Sequence, residues 1–123
     1  MVLVDTSVWV FHFRETHVGL VELLNNAEAV CHPFIIGELA CGNLKNRTSI
    51  IALLEALPTA LVVDHEELLS FIDARKVMGK GLGYVDVHLL AAALLTGVPL
   101  WTFDKKLDKV AEGLQCKYKQ RTK

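Results

Sequence analysis

Three cysteines are few for 123 residues, and Cys31, Cys41 and Cys116 stand far apart, with no C-x-x-C pair and no cysteine–histidine zinc spacing. That sets aside a disulfide framework and a structural zinc. The thiols read instead as small core residues of a protein kept in a reducing, cytoplasmic compartment. Excess charge is missing too. Fourteen acidic residues against thirteen basic ones leave a formal net charge of −1, so the whole chain has no electrostatic signature of a polyanion binder. The longest apolar stretch, Val87 to Trp101, is broken by His88, Thr96, Gly97 and Pro99 and falls short of the roughly 20 residues of a membrane span. No basic segment precedes Val2-Leu3-Val4-Asp5 in the manner of a secretory signal. These absences predict a soluble protein with no membrane partner.

What is present is apolar: 52% of the residues are hydrophobic, enough for one well-packed core in a chain too short for two ordinary domains. A single domain over residues 1–123 is expected. Seven basic residues (Lys105, Lys106, Lys109, Lys117, Lys119, Arg121 and Lys123) crowd the last nineteen positions. They make either a local basic patch or a solvated terminus.

Val2–Val4 reads as a buried strand that stops at Asp5-Thr6-Ser7, residues that favour helix N-caps. A helix is expected around Val18 to Asn25, a strand over Ala29–His32, and a helix Phe34 to Cys41 that Pro33 can start and Gly42 ends. Ser49 to Leu57 follows as a helix stopped by Pro58, then Leu61–Val63 as a third strand. Asp64 and Glu67 have capping-box spacing for a helix reaching about Met78. Gly79, Gly81 and Gly83 form a flexible connection to a helix from Tyr84 through Leu95, closed by Gly97. Pro99–Phe103 is a strand, Lys105–Glu112 a helix and Leu114–Tyr118 a short edge strand. Strands alternating with helices predict the α/β class, with helices on both faces of a mainly parallel sheet.

Four carboxylates conflict with their surroundings. Asp5 and Asp104 each follow an apolar strand, and on parallel neighbouring strands both emerge at the edge where open α/β sheets bind ligands. Glu38 lies in Phe34-Ile35-Ile36-Gly37-Glu38-Leu39-Ala40-Cys41, where burying an ionised group would be costly. Asp86 interrupts Tyr84-Val85-Asp86-Val87-His88-Leu89 in the first turn of its helix. Each also has a plain structural reading: Asp5 and Asp104 as N-caps, Glu38 as a surface residue, Asp86 as a complement to the helix dipole. Brought together, the four would repel one another until protonated or neutralised by a cation, and an all-oxygen set suits Mg²⁺ or Mn²⁺. Such ions commonly serve phosphodiester hydrolysis.

Val-Leu-Val-Asp-Thr-Ser at the start, Gly37-Glu38-Leu39, Gly83-Tyr84-Val85-Asp86 with its Ala-rich continuation, and Thr102-Phe103-Asp104-Lys105-Lys106-Leu107 occur in series over essentially the whole chain. In this the sequence resembles the PIN-domain family, and most closely its VapC branch, the toxins of VapBC toxin–antitoxin modules. The resemblance implies a three-layer α/β/α fold and an endoribonuclease, with Asp5, Glu38, Asp86 and Asp104 around one or two Mg²⁺ or Mn²⁺ ions. It makes Asp5 and Asp86 the first metal ligands, gives Glu38 a metal-bound water or a second metal, and lets Asp104 complete the cluster. Thr6 and Thr102 match accessory hydroxyls that orient carboxylates or the attacking water. The same resemblance implies an RNA substrate, a homodimer and a VapB-like antitoxin that inserts a segment, often with an arginine, toward the acids; a guanidinium pairs bidentately with carboxylates. Lys117 and Lys119 alternate through the last segment where many members have an apolar strand. Asp108, four residues past Asp104, is either its assistant or an ordinary surface acid paired with lysine.

Other features read as structural. Gly79-Lys80-Gly81-Leu82-Gly83 joins two helices and lacks the G-K-[ST] ending of a phosphate loop. His12, His17, His32, His65 and His88 show no metal-pair spacing, and His88 points away from Asp86 on their helix. Trp9, Phe11, Phe13 and Trp101 read as packing more readily than as base-stacking groups. Three other functions compete. A haloacid-dehalogenase-type phosphatase needs a carboxylate where Ser7 stands. A catalytically silent binding module would not need all four acids. A housekeeping RNA-processing nuclease is the third.

Overall fold

The computed structural model describes residues 1–120; Arg121 and Lys123 of the basic tail lie outside the described residues. Strand β1 (Val2–Val4) is apolar and buried throughout, and it occupies the centre of a three-stranded sheet with β2 (Ala29–Val30) on one side and β3 (Leu100–Trp101) on the other. Both pairings are parallel. A parallel sheet of apolar strands requires cover on both faces, and the helices supply it. Helices α1 (Thr6–Glu15) and α2 (Val18–Asn25) lead from β1 to β2. Helices α3 (Pro33–Cys41), α4 (Arg47–Ala56), α5 (His65–Arg75) and α6 (Tyr84–Thr96) lead on to β3, and α7 (Lys105–Gly113) follows it. This is the α/β architecture expected from the alternation, a three-layer α/β/α fold with an all-parallel sheet.

The main core joins Leu3, Val4, Trp9, Leu20, Leu90 and Leu100, all completely buried. Each such side chain contributes on the order of 2 kcal/mol by leaving water. A smaller cluster of Val63, Leu68, Val77, Val87 and Ala91 seats α5 against α6. No helix among the described residues is long and apolar enough to cross a membrane.

Four strand expectations shift. The strand expected over Ala29–His32 narrows to Ala29–Val30, since Cys31 makes only a bridge to Thr59 and His32 is the N-cap of α3. Leu61–Val63 is not a strand: Leu61 and Val62 are exposed, and the chain meets the sheet only at Thr59, through bonds from Cys31 N–H to the Pro58 carbonyl and from Ala60 N–H to the Cys31 carbonyl. The apolar run reported hydrophobicity, not pairing. The Pro99–Phe103 strand shortens because the N–H groups of Phe103 and Asp104 are taken by the hydroxyls of Ser7 and Thr102 instead of a neighbouring strand. The edge strand at Leu114–Tyr118 reduces to one parallel bridge, Leu100 with Lys117. Helix α5 stops before Met78 because Lys76 turns left-handed (φ 54°) and Val77 N–H closes on the Ile72 carbonyl.

Candidate active site

The register pairs Val4 with Trp101, so the next residues in line, Asp5 and Thr102, leave the sheet side by side. Asp5 is buried and caps α1. Its Oδ2 accepts from Ser7 Oγ at 2.7 Å, Thr102 Oγ1 at 2.8 Å and, at 3.4 Å, the Ser7 N–H. The two hydroxyls are 3.2 Å apart and also receive the Phe103 and Asp104 N–H groups, each at 3.0 Å. One carboxylate oxygen is thus fixed by a hydroxyl pair spanning both strand ends, while Oδ1 accepts no hydrogen bond among the described residues. Thr102 Oγ1 is thus a hydrogen-bond donor to the Asp5 carboxylate. Ser7 does the same, and the sequence reading passed it over because a serine two residues after an aspartate has the signature of a helix cap and nothing more.

Asp104 is the N-cap of α7, its Oδ1 accepting from Leu107 N–H at 3.0 Å. Asp86 sits in the first turn of α6, half-buried, with Oδ2 accepting from Gly83 N–H at 3.0 Å. Its pKa is raised from the ordinary carboxylate value, chiefly by desolvation and further by the negative charges of Asp5 and Asp104, against the opposing Gly83 N–H. Asp5, Asp86 and Asp104, brought from three elements, therefore share one electrostatic environment.

Glu38 is exposed, so the burial cost expected from its apolar neighbours does not arise: α3 buries Ile35 and Leu39 and turns Gly37 and Glu38 to solvent. Its Oε1 accepts from Thr6 Oγ1 at 2.6 Å, so Thr6, in the first turn of α1, ties Glu38 to the residue next to Asp5. Beside this pair opens a groove of about 740 Å³, lined by Val10, Phe13, Leu39, Leu44 and Ile50 and rimmed by Arg14. Asp108 is held by Lys117 Nζ at 2.9 Å, which also reaches Glu112 at 3.6 Å; it is an ordinary paired surface acid.

No three Asp, Glu, His or Cys side chains among the described residues stand close enough to close on an ion. The donor chemistry nevertheless fits a hard divalent cation: the converging groups are all carboxylates, and Asp86 is under repulsion that such a cation would relieve. Histidine takes no part. His32 caps α3, accepting the Phe34 N–H on Nδ1, and His88 lies buried between the rings of Phe34 and Tyr84.

The PIN domain is matched over residues 2–113. The chain is 49% identical over 108 residues, 87% of its length and 87% of the relative's, to Ribonuclease VapC32 of Mycobacterium tuberculosis, in the strains CDC 1551 / Oshkosh and ATCC 25618 / H37Rv alike. The chain belongs to the PIN-domain family, in its VapC branch.

Proposed function

We propose that this protein is a single-domain, metal-dependent endoribonuclease, the toxin of a VapBC-like toxin–antitoxin pair, acting in the cytoplasm. The observation that carries the reading is the convergence of Asp5, Asp86 and Asp104 at one edge of the sheet, where the charges of Asp5 and Asp104 add to the cost of ionising Asp86. A protein that spends stability on such repulsion gains from it only when a cation is held there. Asp5 and Asp86 would hold Mg²⁺ or Mn²⁺ first, with Glu38 and Asp104 completing the set for one or two ions. The bound ion supplies water activation and charge neutralisation for hydrolysis of an RNA phosphodiester.

The chain's own residues prepare that chemistry. Ser7 and Thr102 lock Oδ2 of Asp5, leaving Oδ1 to face a cation. Thr6 steers the Glu38 carboxylate, an acceptor for a proton from water at the site. A VapB-like antitoxin would lay an apolar segment in the groove beside Glu38 and bring a cation to the acids. Leu61 and Val62, exposed apolar neighbours, support a second copy of the chain as a homodimer partner.

The test is incubation of purified, antitoxin-free protein and its Asp5→Asn variant with a mixed cellular RNA pool in Mg²⁺, Mn²⁺ or EDTA, followed by mapping of the cut ends. Cleavage should appear with either metal, vanish in EDTA and fall about 100-fold or more in the variant. Absence of cutting by well-folded protein in both metals would sink the reading.

A further inference from the structure

A second groove, of about 590 Å³, runs between the end of α5, the loop after it and α7, and five of its lining residues are cations: Arg75, Lys76, Lys80, Lys106 and Lys109. No carboxylate lines it, and among the described residues none of the five makes an ion pair. Helical spacing explains the segregation on α7. Lys106, Lys109, Val110 and Gly113 form the stripe facing the groove, while Asp108 and Glu112 lie on another stripe and are held by Lys117. In a chain of net charge −1, such a surface attracts a polyanion locally, and each phosphate it neutralises releases cations condensed on the nucleic acid.

Both walls of the groove continue in sequence into segments that carry the acids. Lys106 stands two residues beyond Asp104, and its stem lies over Gly81, so close that a Cβ there would come within 3.1 Å of Lys106 Cδ. Gly81 in turn precedes Gly83, whose N–H holds Asp86. Building on the ribonuclease reading, we infer that this groove is the track for the phosphate backbone of the RNA strand flanking the cut, with Lys106 and Lys109 as its phosphate contacts. An acid site repels RNA by itself; the adjacent cations offset that repulsion and set the direction in which the strand leaves. Phosphate contacts carry no base identity, so the track contributes affinity for any sequence.

The experiment compares wild type, Lys106→Gln/Lys109→Gln and a control pair away from the groove, Arg47→Gln/Lys119→Gln, each checked by thermal melting. Binding of a fluorescent single-stranded RNA of mixed sequence is followed across a KCl series in EDTA, and cleavage of the same RNA in Mn²⁺. The groove variant should lose affinity, flatten the dependence of log K on log[salt] by about 0.7 per lysine, and raise KM with little change in kcat. The control pair should keep the wild-type slope. A groove variant that binds and cuts like wild type, while wild type is an active nuclease, overturns the track and leaves the ribonuclease reading standing. If that variant keeps its RNA behaviour but escapes inhibition by its antitoxin, the groove belongs to an acidic protein segment and the track is again overturned. Wild type that neither binds nor cuts RNA would remove both readings.

Discussion

At Asp86, burial and the charges of Asp5 and Asp104 favour the protonated acid, while the Gly83 N–H favours the anion. Because the folded-state pKa lies above the unfolded one, the metal-free protein loses stability as pH rises from the ordinary carboxylate value through the raised one. Asp86→Asn keeps an acceptor for Gly83 and removes the charge. It should therefore raise Tm in EDTA by about 1–3 °C while abolishing cleavage; a lower Tm would show that the repulsion is not felt. At Ser7, truncation to Ala removes the bonds to Asp5 Oδ2 and to the Phe103 N–H. About 1–2 kcal/mol of stability and roughly tenfold in kcat should go with them, KM staying near its original value, as melting and initial-rate measurements would report. Asp5 and Asp104 were legible as a pair because each follows an apolar run in the sequence. Their coupling to Asp86 was not, since helix α6 approaches them only through the tertiary fold. Ser7 was masked by its local capping role, and Glu38 was misjudged because apolar neighbours in sequence occupy other faces of a helix.

The helices were readable from caps and periodicity to within a few residues at their ends, whereas the strands were not. Short strands carry little pattern, and at Phe103 and Leu61 side-chain hydrogen bonds and solvent exposure decide where pairing stops. Helix α3 shows what a cap imposes in return. His32 is completely buried, accepts the Phe34 N–H on Nδ1 and has no partner for Nε2. Burial, aided by nearby His88, pushes its pKa down to about 4. His88, packed against Phe34 and Tyr84, is lowered too, chiefly by desolvation and further by His65. The folded value lies below the unfolded one of about 6.5, so the stability His32 confers is complete above pH 6.5 and is lost as pH falls toward 4. The loss is on the order of 3 kcal/mol at most. Chemical denaturation at pH 7 and pH 5 should show the decline, and His32→Asn, which keeps a cap acceptor and does not titrate, should flatten it; an equal decline in that variant would rule His32 out as the source.

At the scale of the molecule, a net charge of −1 conceals a separation of charge, with carboxylates at the sheet edge and cations in the groove beside it. The crowding of lysines near the carboxy terminus hinted at this but named only part of the set: Lys106 and Lys109 line the groove, Lys117 is spent on Asp108 and Glu112, and Arg75, Lys76 and Lys80 join from elsewhere in the chain. The double duty of Asp5 and Asp104, each an N-cap as well as a member of the acidic site, reaches beyond this one chain to its descendants. In a lineage released from cutting RNA, Glu38, tied only to Thr6, drifts freely, and replacing Asp86 relieves strain. Losing Asp5 or Asp104 still costs a helix cap, about 1 kcal/mol each. A silent relative should thus shed its acids in a fixed order, and the two that persist longest are the ones that testify least to activity.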